Sequence, residues 1–240
     1  MSTEADHEAV PESPPERPGW SRWVIVGAAM LAVLLIGATV GMFLTRLSDG
    51  SDDTATPKAG SVEVGFAQDM SVHHLQAVTM ANWARDHSAD PEIRQLAFDI
   101  QSTQLEQVGR MKGWLMLWGQ PEQAIGAYMK WMTEPMGHGH GGSAPMSMQP
   151  ANGAPMPGMA SEAELSKMRT LTGKALDVDF LQLMLRHHQG GTDMAQYGYD
   201  HSQLPAVKAL AQSMLTSQGA EMNQMTLMLK ARGADPLPAP

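Results

Sequence analysis

A shift of 114 residues lays positions 66–119 of this chain on positions 180–233 without a gap, and 17 of the 54 aligned pairs are identical. The identities cluster at Phe66/Phe180, Met70/Met184, His73/His187, His74/His188, Met80/Met194 and Ala81/Ala195. Further on, Asp86-His87-Ser88 matches Asp200-His201-Ser202, Pro91 matches Pro205, and Gln104/Gln218, Met111/Met225 and Gly119/Gly233 agree. A unit repeated in this way is one supersecondary element that cannot bury its apolar face alone. The fold must therefore pack two copies of it against each other.

Spacing within each copy is helical. Phe66, Met70, His73, Ala77, Met80, Ala84 and His87 step alternately by four and three, which keeps them on one side of a helix. Copy two gives Phe180, Met184, His187, Gly191, Met194, Gly198 and His201. Pro91 and Pro205 end the first helix of each copy and open the next, since proline is tolerated only in a first turn. The second helix, through Ile93, Ala97, Ile100, Gln104, Met111 and Leu115, stops at Gly119, as copy two stops at Gly233. Each copy is thus a helical hairpin, and two hairpins predict an all-α four-helix bundle. With only three Tyr, four Phe and 21 Met in 240 residues, the core must lean on Leu, Ala and Met.

The remaining segments read as follows. Residues 1–23 are a polar tail expected to be disordered on the cytoplasmic side, and 24–45 a transmembrane anchor. Val24 to Leu44 carries no charge and as a helix would span roughly 31 Å at about 1.5 Å per residue. Trp20 and Trp23 sit at its edge, and Arg22 and Arg46 bracket it. A cleaved signal peptide would have a shorter apolar run with a small-residue cleavage site close behind, so a retained single-pass anchor with the C-terminal part outside is favoured. Residues 46–62 form a linker, 63–119 the first hairpin, 120–160 a Met/His-rich insert, 161–233 a short helix and the second hairpin, and 234–240 a tail. Within the insert, Pro121 to Met132 is expected as a short helix and Thr133 to Ala160 as a loop too rich in Gly and Pro to bury a core. Ser161-Glu162-Ala163-Glu164 reads as a capping box.

The seams carry the first candidate chemistry: Met70, His73, His74 and Met80 with Met184, His187, His188 and Met194. Adjacent helical residues point about 100° apart, so one histidine of each pair can face the bundle axis and the other a neighbouring helix. A lone buried His or Met is usually plain core. A His-His pair flanked by Met in both copies is better explained by a ligand, because each buried imidazole needs a partner. Gln104 and Gln218, inward on the second helices, are expected to hydrogen-bond a seam histidine and fix its tautomer. His87 and His201 end the first helices and are counted among the candidate metal ligands, although a helix dipole alone could also account for them.

With no Cys, a thiolate site is excluded. Thioether and imidazole together make a soft ligand set suited to copper, Cu(I) above all, with silver able to substitute. Hard-ion and di-iron sites need carboxylates on the seams, and the one Glu-x-x-His of the chain, Glu4 to His7, lies in the tail. A second candidate is the insert, where Met129, Met132, Met136, His138, His140, Met146, Met148, Met156 and Met159 suggest a soft-metal collector. The net charge is −9, or −6 without the five acids and two arginines of residues 1–22. An acidic body without basic runs excludes nucleic acid. The expected partners are a metal ion and, through one N-terminal helix, the membrane, with a homo-oligomer left open.

The pattern Phe66-x-x-x-Met70-x-x-His73-His74-x-x-Ala77-x-x-Met80-Ala81, repeated from Asp179-Phe180 to Met194-Ala195, resembles the bacterial family called domain of unknown function 305. The similarity covers about 63–233 apart from the Met-rich insert. It implies a ferritin-like four-helix bundle, exported or membrane-anchored, with copper or silver binding and tolerance among some members. Gly191 stands where that family usually has Ala, a small-for-small change. Three readings follow: an extracytoplasmic copper buffer or chaperone, which is favoured; a copper redox enzyme; and a helical interaction module whose His and Met are core.

Overall fold

The computed structural model describes residues 20–49, 56–133 and 153–240. These hold six helices: α1 Trp20–Asp49, α2 Val62–His87, α3 Pro91–Leu117, α4 Glu162–Thr170, α5 Gly173–His201 and α6 Pro205–Ala231. No strand occurs among the described residues. The chain divides into two units, Met1–Thr54 and Ala55–Pro240. The first unit is α1, of which Trp23–Thr45 is long and apolar enough to cross a membrane. Its apolar side chains are exposed along the whole stretch, so burial inside the protein does not explain them.

In the second unit α2 packs on α3 and α5 on α6, and the two hairpins meet chiefly through α2 and α5. The local signals work as chemistry requires. Pro91 and Pro205 occupy the first turns of α3 and α6, where a missing N–H costs nothing. Gly119 and Gly233 take φ values of 63° and 64°, which a side chain resists. Each closes a Schellman motif: Gly119 N–H to Met116 O and Gln120 N–H to Leu115 O, then Gly233 N–H to Lys230 O and Ala234 N–H to Leu229 O. Ser161 and Glu164 form the capping box of α4.

The two copies also brace each other at their ends. Ser88, in the turn of the first hairpin, donates to Asp177 at the start of α5 at 2.6 Å. Its counterpart Ser202 donates to Glu63 at the start of α2 at 2.9 Å. These pairs are related by the same 114-residue shift as the repeat. They require α2 and α5 to run antiparallel, so that each turn closes on the other copy's first helix.

Two expectations for the insert are overturned. Residues 121–132 form turns, not a helix. Buried Asp69 overrides local preference there, accepting from Met129 N–H at 2.6 Å and Trp131 Nε1 at 2.9 Å while Met129 is held at a φ of 65°. The insert also contributes to the core, because Met129, Met132, Met156 and Met159 are all buried. Glycine and proline permit this burial: Pro157 and Gly158 lie directly against Gly190 of α5, where a Cβ would meet Pro157 O at 2.2 Å. Residues 153–160 thus form a strap across the bundle. Gln76 pins its end, donating to Ala160 O at 2.8 Å and accepting from Ala160 N–H at 2.7 Å.

Candidate metal site

The seam periodicity is realised as burial. Phe66, Met70, His73, Ala77, Met80 and Ala84 of α2 are buried, as are Phe180, Met184, His187, Gly191, Met194 and Gly198 of α5. Antiparallel pairing brings His73 and His187 ring to ring, with centroids 3.8 Å apart. His74 and His188 flank them, at 6.4 Å from His73 and 6.3 Å from His187 respectively. The four histidines therefore form one cluster. Met70 and Met194 share the packed core on one side of it, and Met80 and Met184 share the core on the other.

Each imidazole is oriented by an oxygen. His73 Nε2 lies 3.2 Å from Pro157 O, and His187 Nε2 lies 3.0 Å from the main-chain oxygen of His73. His74 Nε2 lies 2.7 Å from Gln107 Oε1, and His188 Nε2 lies 2.6 Å from Glu221 Oε2. Carbonyl and carboxylate oxygens only accept, so each Nε2 carries a proton, and in the neutral ring the lone pair is left on Nδ1. The Nδ1 atoms of His73, His74 and His188 are buried without a hydrogen-bond partner. Burial drives His73 down to about 4 and His74 down to about 3, and it holds His187 well below its ordinary value. Mutual repulsion among the imidazoles adds to the effect. At neutral pH these three are uncharged, the form in which an imidazole binds metal.

The orienting residues differ from the expected pair. Gln104 and Gln218 are buried but make no bond to a histidine ring; both polar ends of Gln104 and the Oε1 of Gln218 lack partners. Gln107 and Glu221, one turn further on, reach the rings instead. Their signal in the sequence is positional: they are equivalent under the 114-residue shift yet not identical.

His87 and His201 stand apart from the cluster. His87 is exposed, stacked on Trp83 with centroids 3.6 Å apart, and its Nδ1 faces Trp83 O at 2.9 Å. His201 stacks on Tyr197 at 4.2 Å. Met136, His138, His140, Met146 and Met148 lie outside the described residues.

Among the described residues no three His, Asp or Glu side chains stand together in a metal-holding arrangement. Ions that need several hard ligands find no ready cage among these residues. Paired imidazoles with unspent lone pairs in a thioether-rich surround fit a soft ion of low coordination number.

A family model described as domain of unknown function (DUF305) matches residues 63–229. A DUF305 protein from Streptomyces coelicolor, proposed to be secreted, is 41% identical, with 75% of this chain and 99% of that one covered and a TM-score of 0.65. A DUF305 fragment from Deinococcus radiodurans is 34% identical over 73% of this chain and 99% of its own, with a TM-score of 0.56. CopM in its Cu(II)-bound form is 26% identical, covering 70% and 96%, with a TM-score of 0.53. CopM is also known in Cu(I)-bound and Ag-bound forms, which share the fold at 23% and 22% identity. No curated protein matches the chain.

Proposed function

The chain belongs to the DUF305 family, and on that footing we propose that its histidine core binds a soft metal ion, copper as Cu(I) with silver able to replace it. In this reading α1 is retained as a membrane anchor, the bundle lies outside the cytoplasm, and the protein buffers or passes on copper.

One observation carries the proposal. All four buried imidazoles spend Nε2 on an oxygen, and three Nδ1 atoms are left buried with nothing to bond. A buried polar atom without a partner costs about 1–3 kcal/mol. As plain core, the cluster would repeat that cost three times. As a ligand set, it has its outer partners in place, the arrangement that orients a metal-binding histidine. Met70, Met80, Met184 and Met194, all buried on the same seams, supply thioethers on either side. Copper and silver in CopM support the choice of metal class.

The residues divide the work. His73, His74, His187 and His188 would offer Nδ1, and Gln107, Glu221 and Pro157 O hold the rings in the binding tautomer. The metal, when bound, supplies the positive charge that satisfies the lone pairs. The test is competition for Cu(I) between the full chain in detergent and a chelator of known affinity. The expected result is a tight site that disappears when His73, His74, His187 and His188 are changed together to Ala, with helicity retained. Unchanged tight binding in that variant would remove the histidine core from the reading. No tight binding in the parent would leave the histidines as core alone.

A further inference from the structure

The two outer histidines occupy equivalent places but have unlike partners. His74 Nε2 donates to the neutral amide of Gln107, whereas His188 Nε2 donates to the carboxylate of Glu221. Both rings are fully buried and both Nδ1 atoms are unpartnered. The substitution between copies exchanges a buried amide for a carboxylate that is 16% exposed, while the hydrogen bond to the ring is kept.

That difference matters because a cation entering this core leaves water behind. Transfer of an isolated charge into an apolar interior is strongly unfavourable unless an opposite charge accompanies it. Glu221 is partly buried, and the fully buried acids are committed elsewhere. Glu63 and Asp177 hold the hairpin-turn serines, Asp69 holds Met129 and Trp131, and Asp179 faces Lys167. Among the described residues, Glu221 is the acid hydrogen-bonded to an imidazole of the cluster. A carboxylate behind an imidazole also makes its far nitrogen a stronger donor to metal.

We propose that Glu221 is a positioning counter-charge that makes the His188 half of the core the first to take a soft monovalent cation, ahead of the His74 half. This rests on the metal-binding reading above and assigns it an order. The two copies, near-identical in placement, form a graded pair.

The probe is Ag(I), which is diamagnetic and stable in air. The full chain, with 15N-labelled histidine and in detergent, is titrated while the Nδ1 resonances of His74 and His188 are followed. The His188 resonance is expected to move at the lowest Ag(I) additions and the His74 resonance only later. Glu221→Gln should make the two move together and weaken the His188 half by roughly 10–100-fold, the range for loss of such an outer partner. Folding of that variant is safeguarded by the protein itself, because copy one already carries Gln at the equivalent place. Gln107→Glu is the converse and should bring His74 forward to respond with His188. Simultaneous movement of both resonances in the parent, or an order unaffected by either substitution, overturns the proposal while leaving metal binding intact. If no histidine Nδ1 responds to Ag(I) in any variant, the metal-binding reading falls with it.

Discussion

His73 and His187 lie ring against ring at 3.8 Å, and the Nε2 of His187 donates to the main-chain oxygen of His73 at 3.0 Å. The relationship is not reciprocal. His73 directs its own Nε2 to Pro157 O in the strap, so the two copies meet at a pair that is equivalent in sequence and unequal in bonding.

Acid should weaken the metal-free protein through these rings. His73, His74 and His187 titrate well below 6.5 in the folded state, about 4 for His73 and about 3 for His74. Below about pH 6.5 the unfolded chain binds protons that the folded one refuses, so stability falls as pH drops toward 4. His73 alone should account for on the order of 3 kcal/mol across that interval. Denaturant unfolding between pH 4.5 and 7.5 measures it. A double change of His73 and His187 to Gln should flatten the slope, and a parent protein with no slope would contradict the burial argument.

The end braces should be unequal. Ser88→Ala leaves Asp177 without its donor, whereas Ser202→Ala leaves Glu63 still accepting from Gln203 N–H at 2.7 Å. Losing a buried partner costs about 1–3 kcal/mol, with Ser88→Ala expected toward the upper end and Ser202→Ala toward the lower. Urea midpoints of the single variants decide it.

Neighbouring glycines in α5 should respond unequally. A Cβ at Gly190 would collide with backbone, 2.2 Å from Pro157 O and 2.7 Å from Gly158 N, so Gly190→Ala must displace the strap. A loss of about 3 kcal/mol is expected. At Gly191 the Cβ would meet His73 Cε1 at 3.1 Å and Gln218 Oε1 at 3.2 Å, both side-chain atoms and not backbone, so a shift of a few tenths of an ångström makes room. There the gain of about 1 kcal/mol from alanine in a helix offsets the crowding. Thermal unfolding of the two variants should separate them clearly; equal losses would mean the strap is not seated on Gly190.

Metal stoichiometry should report the insert separately from the core. Changing Met136, His138, His140, Met146 and Met148 together to Ser should lower the number of Ag(I) ions bound at saturation. The tightest site should keep its affinity. Isothermal titration reads both quantities, and a weakened tight site would place one of these five in the core site.

Much of this was legible because it is local. The seams, the first-turn prolines and the terminal glycines are statements about a few residues in sequence, and their chemistry is the same wherever the chain goes. The histidine cluster was half legible: periodicity puts His73 and His187 inward, but not against each other, since the meeting point depends on the register between hairpins. The same ignorance assigned the rings to Gln104 and Gln218 when Gln107 and Glu221 reach them. The strap was illegible for a different reason. Gly and Pro around Met156 and Met159 look like loop, and only the absence of side chains at Gly158 and Gly190 lets backbone lie on backbone closely enough to bury them.

The crossed braces carry a consequence for how such a chain could arise. Ser88 completes itself on Asp177 and Ser202 on Glu63, so neither hairpin supplies the acceptor for its own turn hydroxyl. A half-length ancestor with one hairpin would have met that need only in a second molecule, as a symmetric homodimer with matching histidine rings at its axis. Fusing the halves would release them from the obligation to stay alike. Gln107 is then free to differ from Glu221, and Gln76 from Gly190, so that one copy gains a carboxylate behind its histidine and a glycine on which the strap rests.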